Sequence, residues 1–290
     1  MNKAQLWIEH GGVSMARPDG SGFWEWVIYL ITNNYMDFLT GAGRTLLLAA
    51  VGTVIGCLIG FLVGIVQTIP VEPGDRFLKK AGLKIARFLL MTYVEVFRGT
   101  PMIIQAVVIY YGAMFAGIDM TPLFAGFFIV SINTGAYMSE SVRGGIDSID
   151  KGQSEAAKAI GMTHFQAMIT TILPQALRNI LPQIGNNLII NIKDTAVLNI
   201  ITVPELFFAA KTLTGSYYQY FQTYFIDCAV YFILTFTCSR LLRMYERKLD
   251  GPDSYNLAGP GSKAMPGKRP TGVTMQLMSG KFREQRSAMR

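Results

Sequence analysis

Cysteine and histidine are scarce in this chain. Only three of its 290 residues are cysteine (Cys57, Cys228, Cys238) and two are histidine (His10, His164). The cysteines lie in apolar stretches and form no C-x-x-C pair, which argues against a disulfide framework or a structural zinc site. The histidines stand far apart and read as surface residues. Catalytic constellations are lacking as well: there is no G-x-S-x-G, no H-E-x-x-H, and no cluster of His with carboxylates. A phosphate-binding loop is missing too, because Gly41–Thr45 has no Lys and Gly280-Lys281 is followed by Phe282. The chain is therefore expected to bind no metal or cofactor and to hydrolyse no ATP alone. Its N-terminus has no basic stretch leading into an apolar core and a small-residue cleavage site, so no removable signal peptide is expected.

Apolar residues, in contrast, are abundant. They make up 51% of the chain, charged residues 16%, and mean hydropathy is +0.32. The formal charge of +7 is unevenly placed. Residues 1–242 carry 16 Lys+Arg against 15 Asp+Glu, and residues 243–290 carry 10 against 4. A near-neutral body with a basic tail argues against nucleic-acid binding, which needs a charged folded face. About 20 mostly apolar residues cross a bilayer as a helix. Five runs come near that requirement, at residues 45–69, 101–117, 123–141, 184–202 and 220–242. An all-α polytopic membrane protein of five spans is expected. In the first run Gly52, Gly56, Gly60 and Gly64 recur every four residues, on one helix face, where another backbone can come close.

Lys and Arg sort between the two sets of connections. Segments 1–44, 118–122 and 203–219 hold Lys3, Arg17, Arg44 and Lys211, whereas 70–100, 143–183 and 243–290 hold 6, 4 and 10. The positive-inside rule then puts the N-terminus outside and the C-terminus in the cytoplasm. Residues 1–39 are expected to be external or interfacial, with aromatic-rich 24–38 at the outer interface. Basic and apolar 76–96 suits a helix at the cytoplasmic interface, with an extra short span as the rival. Residues 40–248 form the membrane domain. The tail 249–290, rich in Gly, Pro, Ser and charge, is expected to be disordered, in contact with anionic lipid head groups.

The connection between the third and fourth runs, 148–174, carries the strongest pattern. Asp150 can cap a short helix that ends at Gly161, a residue suited to a left-handed corner. Thr163 and Gln166 form a capping-box pair that opens a second helix, expected to stop at Pro174. Within this loop Glu155-Ala156-Ala157, Gly161 and Leu173-Pro174 resemble the EAA motif of binding-protein-dependent ABC importer permeases, although Thr171 stands where a branched aliphatic residue is usual. In that family the loop docks on a cytoplasmic ATPase. The low surface of Ala156 and Ala157 and the charge of Glu155 are consistent with docking. Tyr93-Val94-Glu95-Val96-Phe97-Arg98-Gly99-Thr100-Pro101, Ala136–Glu140, Lys193-Asp194-Thr195 and Val203–Leu206 are similar to segments of the polar amino-acid branch, in the same order.

The resemblance implies a permease subunit in a bacterial inner membrane. It would pair with a second permease subunit, identical or homologous, and work with ABC ATPase subunits that hold ATP and Mg. An external binding protein would deliver an amino acid. A transporter or channel working alone is the alternative. For the pathway the candidates are Asn187, Asn191, Lys193, Asp194 and Thr195, with Glu140 as a lesser one. Lys193 and Asp194 are neighbours and point about 100° apart on a helix, so only one of them can face a given surface. They either line a path or knit the bundle together.

Overall fold

The computed structural model describes residues 17–18, 22–69, 74 and 76–249. Contacts divide the chain into Met1–Arg247 and Lys248–Arg290. The tail expected to be disordered lies almost wholly outside the described residues, as do residues 1–16. The described residues contain helices and no strand: α1 (Phe23–Thr68), α2 (Phe77–Gly99), α3 (Met102–Phe115), α4 (Pro122–Asp147), α5 (Lys151–Ala159), α6 (His164–Ala167), α7 (Leu173–Asp194), α8 (Leu206–Tyr217) and α9 (Tyr220–Leu249).

α1 corrects the first boundary. The expected division at residue 39 falls inside one helix of 46 residues, interrupted only at Asn34 (φ −129°, ψ 20°). There the Asn33 and Asn34 side-chain amides donate to the carbonyls of Tyr29 and Leu30, both at 3.1 Å. These bonds satisfy carbonyl groups at the kink. Trp26, Val27 and Leu30 are buried in one cluster with Ala210, Leu213 and Ile226. One face of the aromatic segment is thus packed on α8 and α9, while Trp24, Ile28 and Tyr35 are exposed on the other.

The four glycines of α1 lie against α4. A Cβ on Gly52, Gly56, Gly60 or Gly64 would run into Val130, Thr134, Met138 or Val142, in that order. Both series advance by four residues, so one ridge of α4 fills the trough left by the missing side chains. Gln105 and Asn133 close a different gap, the break between α2 and α3. Pro101 has no N–H, which leaves carbonyls before it without helical partners. Gln105 Nε2 donates to the carbonyls of Phe97 and Thr100, each at 2.9 Å, and Asn133 Nδ2 donates to Gln105 Oε1 at 2.9 Å. Both residues are buried. The second half of α2 is tied to α4, since Tyr93 Oη donates to the Ile132 carbonyl midway along that helix.

The 148–174 connection begins as expected. Asp150 accepts from the Gly152 N–H at 2.7 Å, and α5 ends in a Schellman motif. In that motif the Gly161 N–H bonds the Lys158 carbonyl and the Met162 N–H bonds the Ala157 carbonyl, both at 3.0 Å. Gly161 sits at φ +85°, a conformation that favours glycine. The capping box of Thr163 and Gln166 is formed. Pro174, however, does not end the second helix. Met168–Ile172 adopts a π-helical turn, and Pro174 falls in the first turn of α7 directly after it. The widened turn takes up the hydrogen bond that proline cannot make, so helical backbone runs on from His164 to Ile201. The apolar run expected at 184–202 is only the far end of this rod. Its last turns, Thr195–Ile201, tighten to 3₁₀.

Beyond that rod, Glu205 caps α8. Its carboxylate accepts from the N–H groups of Phe207 (2.9 Å) and Phe208 (2.7 Å) and from the Tyr231 hydroxyl (2.9 Å). Thr45 of α1 accepts from the Leu206 N–H. One buried carboxylate thereby ties α8 to α9. Close by on α9, Asp227 is buried and its Oδ1 has no hydrogen-bond partner among the described residues.

By length and composition, Phe23–Thr68 and Tyr220–Glu246 can each cross a membrane. His164–Ile201 with Leu206–Tyr217, bent by 51°, would be a third, broken span. Met102–Phe115 is apolar but short.

Candidate translocation and coupling site

A polar cavity of roughly 340 Å³ opens where the α2–α3 break meets α4 and α7. α7 contributes Asn187, Asn191 and Asp194, at spacings of four and three residues that place them on one face. The break contributes Thr100, Pro101 and Met102, and α4 contributes Asn133, Thr134 and Tyr137. Three of the six expected pathway residues are therefore brought together. Of the others, Lys193 is exposed and does not line the cavity. Thr195 is fully buried, its hydroxyl donating to the Ile192 carbonyl at 3.0 Å. Glu140 lies elsewhere, between Arg98 and Arg143. The 100° offset expected between Lys193 and Asp194 accounts for their separation: Asp194 is half-buried at the cavity while Lys193 turns outward.

Asn191 both lines the cavity and knits the bundle. Its Nδ2 donates to Thr53 of α1 at 2.8 Å and to Thr134 of α4 at 2.9 Å. It is 4% exposed, so these bonds form away from water. Asn187 is held more loosely, by the Gln183 carbonyl at 3.0 Å and the Met138 sulfur at 3.2 Å. Asn191→Leu is expected to destabilise the fold by about 2 kcal/mol, since it leaves the buried Thr134 hydroxyl without a partner and removes the donor to Thr53, whose own hydroxyl keeps its bond to the Ala49 carbonyl. Asn187→Leu should cost less than about 1 kcal/mol. Thermal unfolding of the two variants in detergent checks this order.

Thr100, Pro101, Asn133 and Tyr137 escaped the list of candidates. Thr100, Pro101 and Tyr137 lie within stretches that carry the resemblance, yet nothing in their spacing sets them against α7. That requires the break at Pro101 and its closure by Gln105 and Asn133.

On the 148–174 loop, Glu155 and Ala156 are exposed while Ala157 is buried at 4%. Gly161 is exposed at the corner, Leu173 half-buried and Pro174 exposed. Ile160 (74% exposed), Phe165 (71%) and Ile169 add apolar side chains to the same tip. A surface of this kind, with a low alanine, one carboxylate and projecting apolar groups, suits a protein partner.

Residues 81–250 match the family model described as "Binding-protein-dependent transport system inner membrane component". The chain is similar to the nopaline transport system permease protein NocM of Agrobacterium fabrum, at 34% identity over 82% of this chain and 98% of that one. It is also similar to the arginine transport system permease protein ArtQ of Bacillus subtilis, at 32% identity over 74% of this chain and 93% of that one. A crystal structure of an amino acid ABC transporter with histidines superposes with a TM-score of 0.68 at 34% identity, covering 79% of this chain and 99% of that chain. The chain belongs to the family of inner-membrane components of binding-protein-dependent transport systems. It is thus a membrane transport protein of the ABC type.

Proposed function

We propose that this chain is the permease subunit of an ATP-driven importer of polar amino acids, working as a dimer in a bacterial inner membrane. The observation that carries the reading is the helical rod that starts in the 148–174 loop at His164 and bears Asp194 on the polar cavity. At 1.5 Å per residue those 31 positions span roughly 45 Å. A push on the loop is transmitted along this rod to the groups that would contact a substrate.

Five spans follow when α2 and α3 are joined across the Pro101 break. α1, α2–α3, α4, the rod from His164 and α9 then alternate in direction. The N-terminus is outside and the 148–174 loop cytoplasmic, in keeping with the sorting of Lys and Arg. Glu155, Ala156, Ala157, Gly161, Leu173 and Pro174 build or support the surface that docks on an ATPase subunit, which supplies the site for ATP and Mg. An external binding protein delivers the amino acid to the outer segments around 203–219. The relatives carry nopaline and arginine by name, which supports an amino acid as cargo. No covalent chemistry is asked of this chain, because ATP-driven closure shifts a two-state equilibrium between outward and inward forms.

Within the pathway, Asp194 offers the carboxylate that an α-ammonium group or a cationic side chain needs, and Asn187 and Asn191 offer amides. Asp194→Asn is expected to raise KM for uptake at least tenfold (about 1.4 kcal/mol) while the complex assembles normally. Lys193→Ala should leave KM within about twofold, in line with surface substitutions elsewhere. The pathway assignment fails if the Asp194→Asn complex transports with unchanged affinity and rate.

A further inference from the structure

A second cavity, of roughly 470 Å³, lies between the end of α1, α2 and the last turns of α4. None of the activity described above uses it. Arg87, Met91, Glu95 and Arg98 line it from α2 at spacings of four, four and three residues, which makes them one face of that helix. Glu140 and Arg143 of α4 stand opposite. Glu140 accepts from Arg143 at 2.7 Å and faces Arg98 at 3.5 Å, and Arg143 also reaches Asp147 at 3.7 Å. Glu140 and Arg143 are thus largely committed to each other. Arg87 is different: its Nε is buried without a hydrogen-bond partner among the described residues.

The cavity is therefore lined by the Arg87 guanidinium, a carboxylate two turns further along the same face, and an apolar wall of Met91 and Val94 between them. A small zwitterion needs those elements: a cation for its carboxylate, an anion for its ammonium, and an apolar surface for the rest. The position is equally informative. Arg143 lies ten residues beyond Asn133 on α4, about 15 Å nearer the 148–174 loop. Between the two cavities the Arg98 guanidinium sits over the ring of Tyr137, 5.7 Å from its centroid, and Tyr137 lines the first cavity.

We propose that this second cavity is an exit-side amino-acid site, with Arg87 holding the carboxylate and Glu95 the ammonium, separated from the first cavity by the Arg98–Tyr137 pair. This rests on the amino-acid permease reading. A cargo molecule passes the stacked pair and rests here before release. Accumulated product in the cytoplasm can occupy the same place and slow the next cycle.

The test is equilibrium binding to the complex of permease and ATPase in phosphatidylcholine nanodiscs, without binding protein. Radiolabelled arginine, glutamine and histidine serve in turn as probes. For whichever probe the reconstituted transporter takes up, the wild type should bind two molecules per permease chain. Arg87→Gln and Glu95→Gln should each weaken one site at least tenfold and leave the other, and Asp194→Asn should do the converse. Retention of the Asp194-dependent site shows that a variant is folded. Should Arg87→Gln lose both sites through misfolding, Glu95→Gln gives the answer. One site per chain, untouched by Arg87→Gln and Glu95→Gln while uptake proceeds, overturns the exit site and leaves the permease reading intact. Absence of any bound or transported amino acid overturns both. A head group is the occupant instead if adding phosphatidylethanolamine abolishes the Arg87-dependent binding, and that result also overturns the proposal.

Discussion

Gly60→Leu should prevent this protein from accumulating as a folded membrane protein. Even a methyl group at residue 60 would stand 2.9 Å from the Met138 carbonyl carbon and 2.9 Å from the Ser139 nitrogen, in addition to colliding with the Met138 side chain. Real Cβ atoms essentially never come so near backbone atoms, and backbone cannot swing away as a side chain can. α1 and α4 would have to separate along the whole contact that also holds Gly52, Gly56 and Gly64. A loss of more than about 3 kcal/mol is expected, beyond the usual range for overpacking because a helix pair must move as a unit. Gly43→Ala is the matched control. Nothing lies within 4 Å of a Cβ there, and alanine is the better helix former by about 1 kcal/mol. Yield after detergent extraction and the unfolding midpoint measure both variants. A Gly60→Leu protein with a wild-type midpoint would refute the close-packed α1–α4 interface.

The second large effect concerns the loop. Glu155→Lys is expected to leave membrane insertion and the unfolding midpoint unchanged, because Glu155 is exposed on α5. ATP-driven uptake should nevertheless fall at least 30-fold. Reversing a charge at a docking surface costs several kcal/mol when it meets a partner built for the opposite sign, and about 2 kcal/mol already gives that factor. Co-purification of the ATPase with the permease reads the docking step directly. If Glu155→Lys retains the ATPase and transports normally, the 148–174 loop does not couple through this residue.

Some of this architecture is legible in the sequence because a local rule determines it. The glycine ladder of α1, the Asp150 cap, the Gly161 corner and the Thr163–Gln166 capping box each depend on a few neighbouring residues, and each is present. Pro174 shows where a local rule misleads. Proline usually ends a helix because it lacks an N–H, but a π-helical turn just before it absorbs that loss. The division expected at residue 39 fails for a different reason, at Asn34. The kink there is satisfied by asparagine side chains, so the aromatic segment and the first apolar run remain one helix. The cavity is the least legible part. Gln105 and Asn133 read as isolated polar residues in apolar runs, and the importance of Asn133 comes from partners far along the chain, the Gln105 side chain 28 positions away and the freed Phe97 carbonyl 36 positions away. Asn187, Asn191 and Asp194 can be selected by helical spacing, whereas Thr100 and Tyr137 join them only through tertiary contact.

ATP-driven import by a permease that has no nucleotide site of its own is tested most directly by reconstitution. The chain is placed in proteoliposomes with and without its cognate ATPase, and uptake of radiolabelled amino acid is followed in the presence of the external binding protein. Uptake is expected only when ATPase, binding protein and ATP are all present. Uptake by the permease alone, or uptake indifferent to ATP, would contradict the importer and identify a transporter or channel that works by itself.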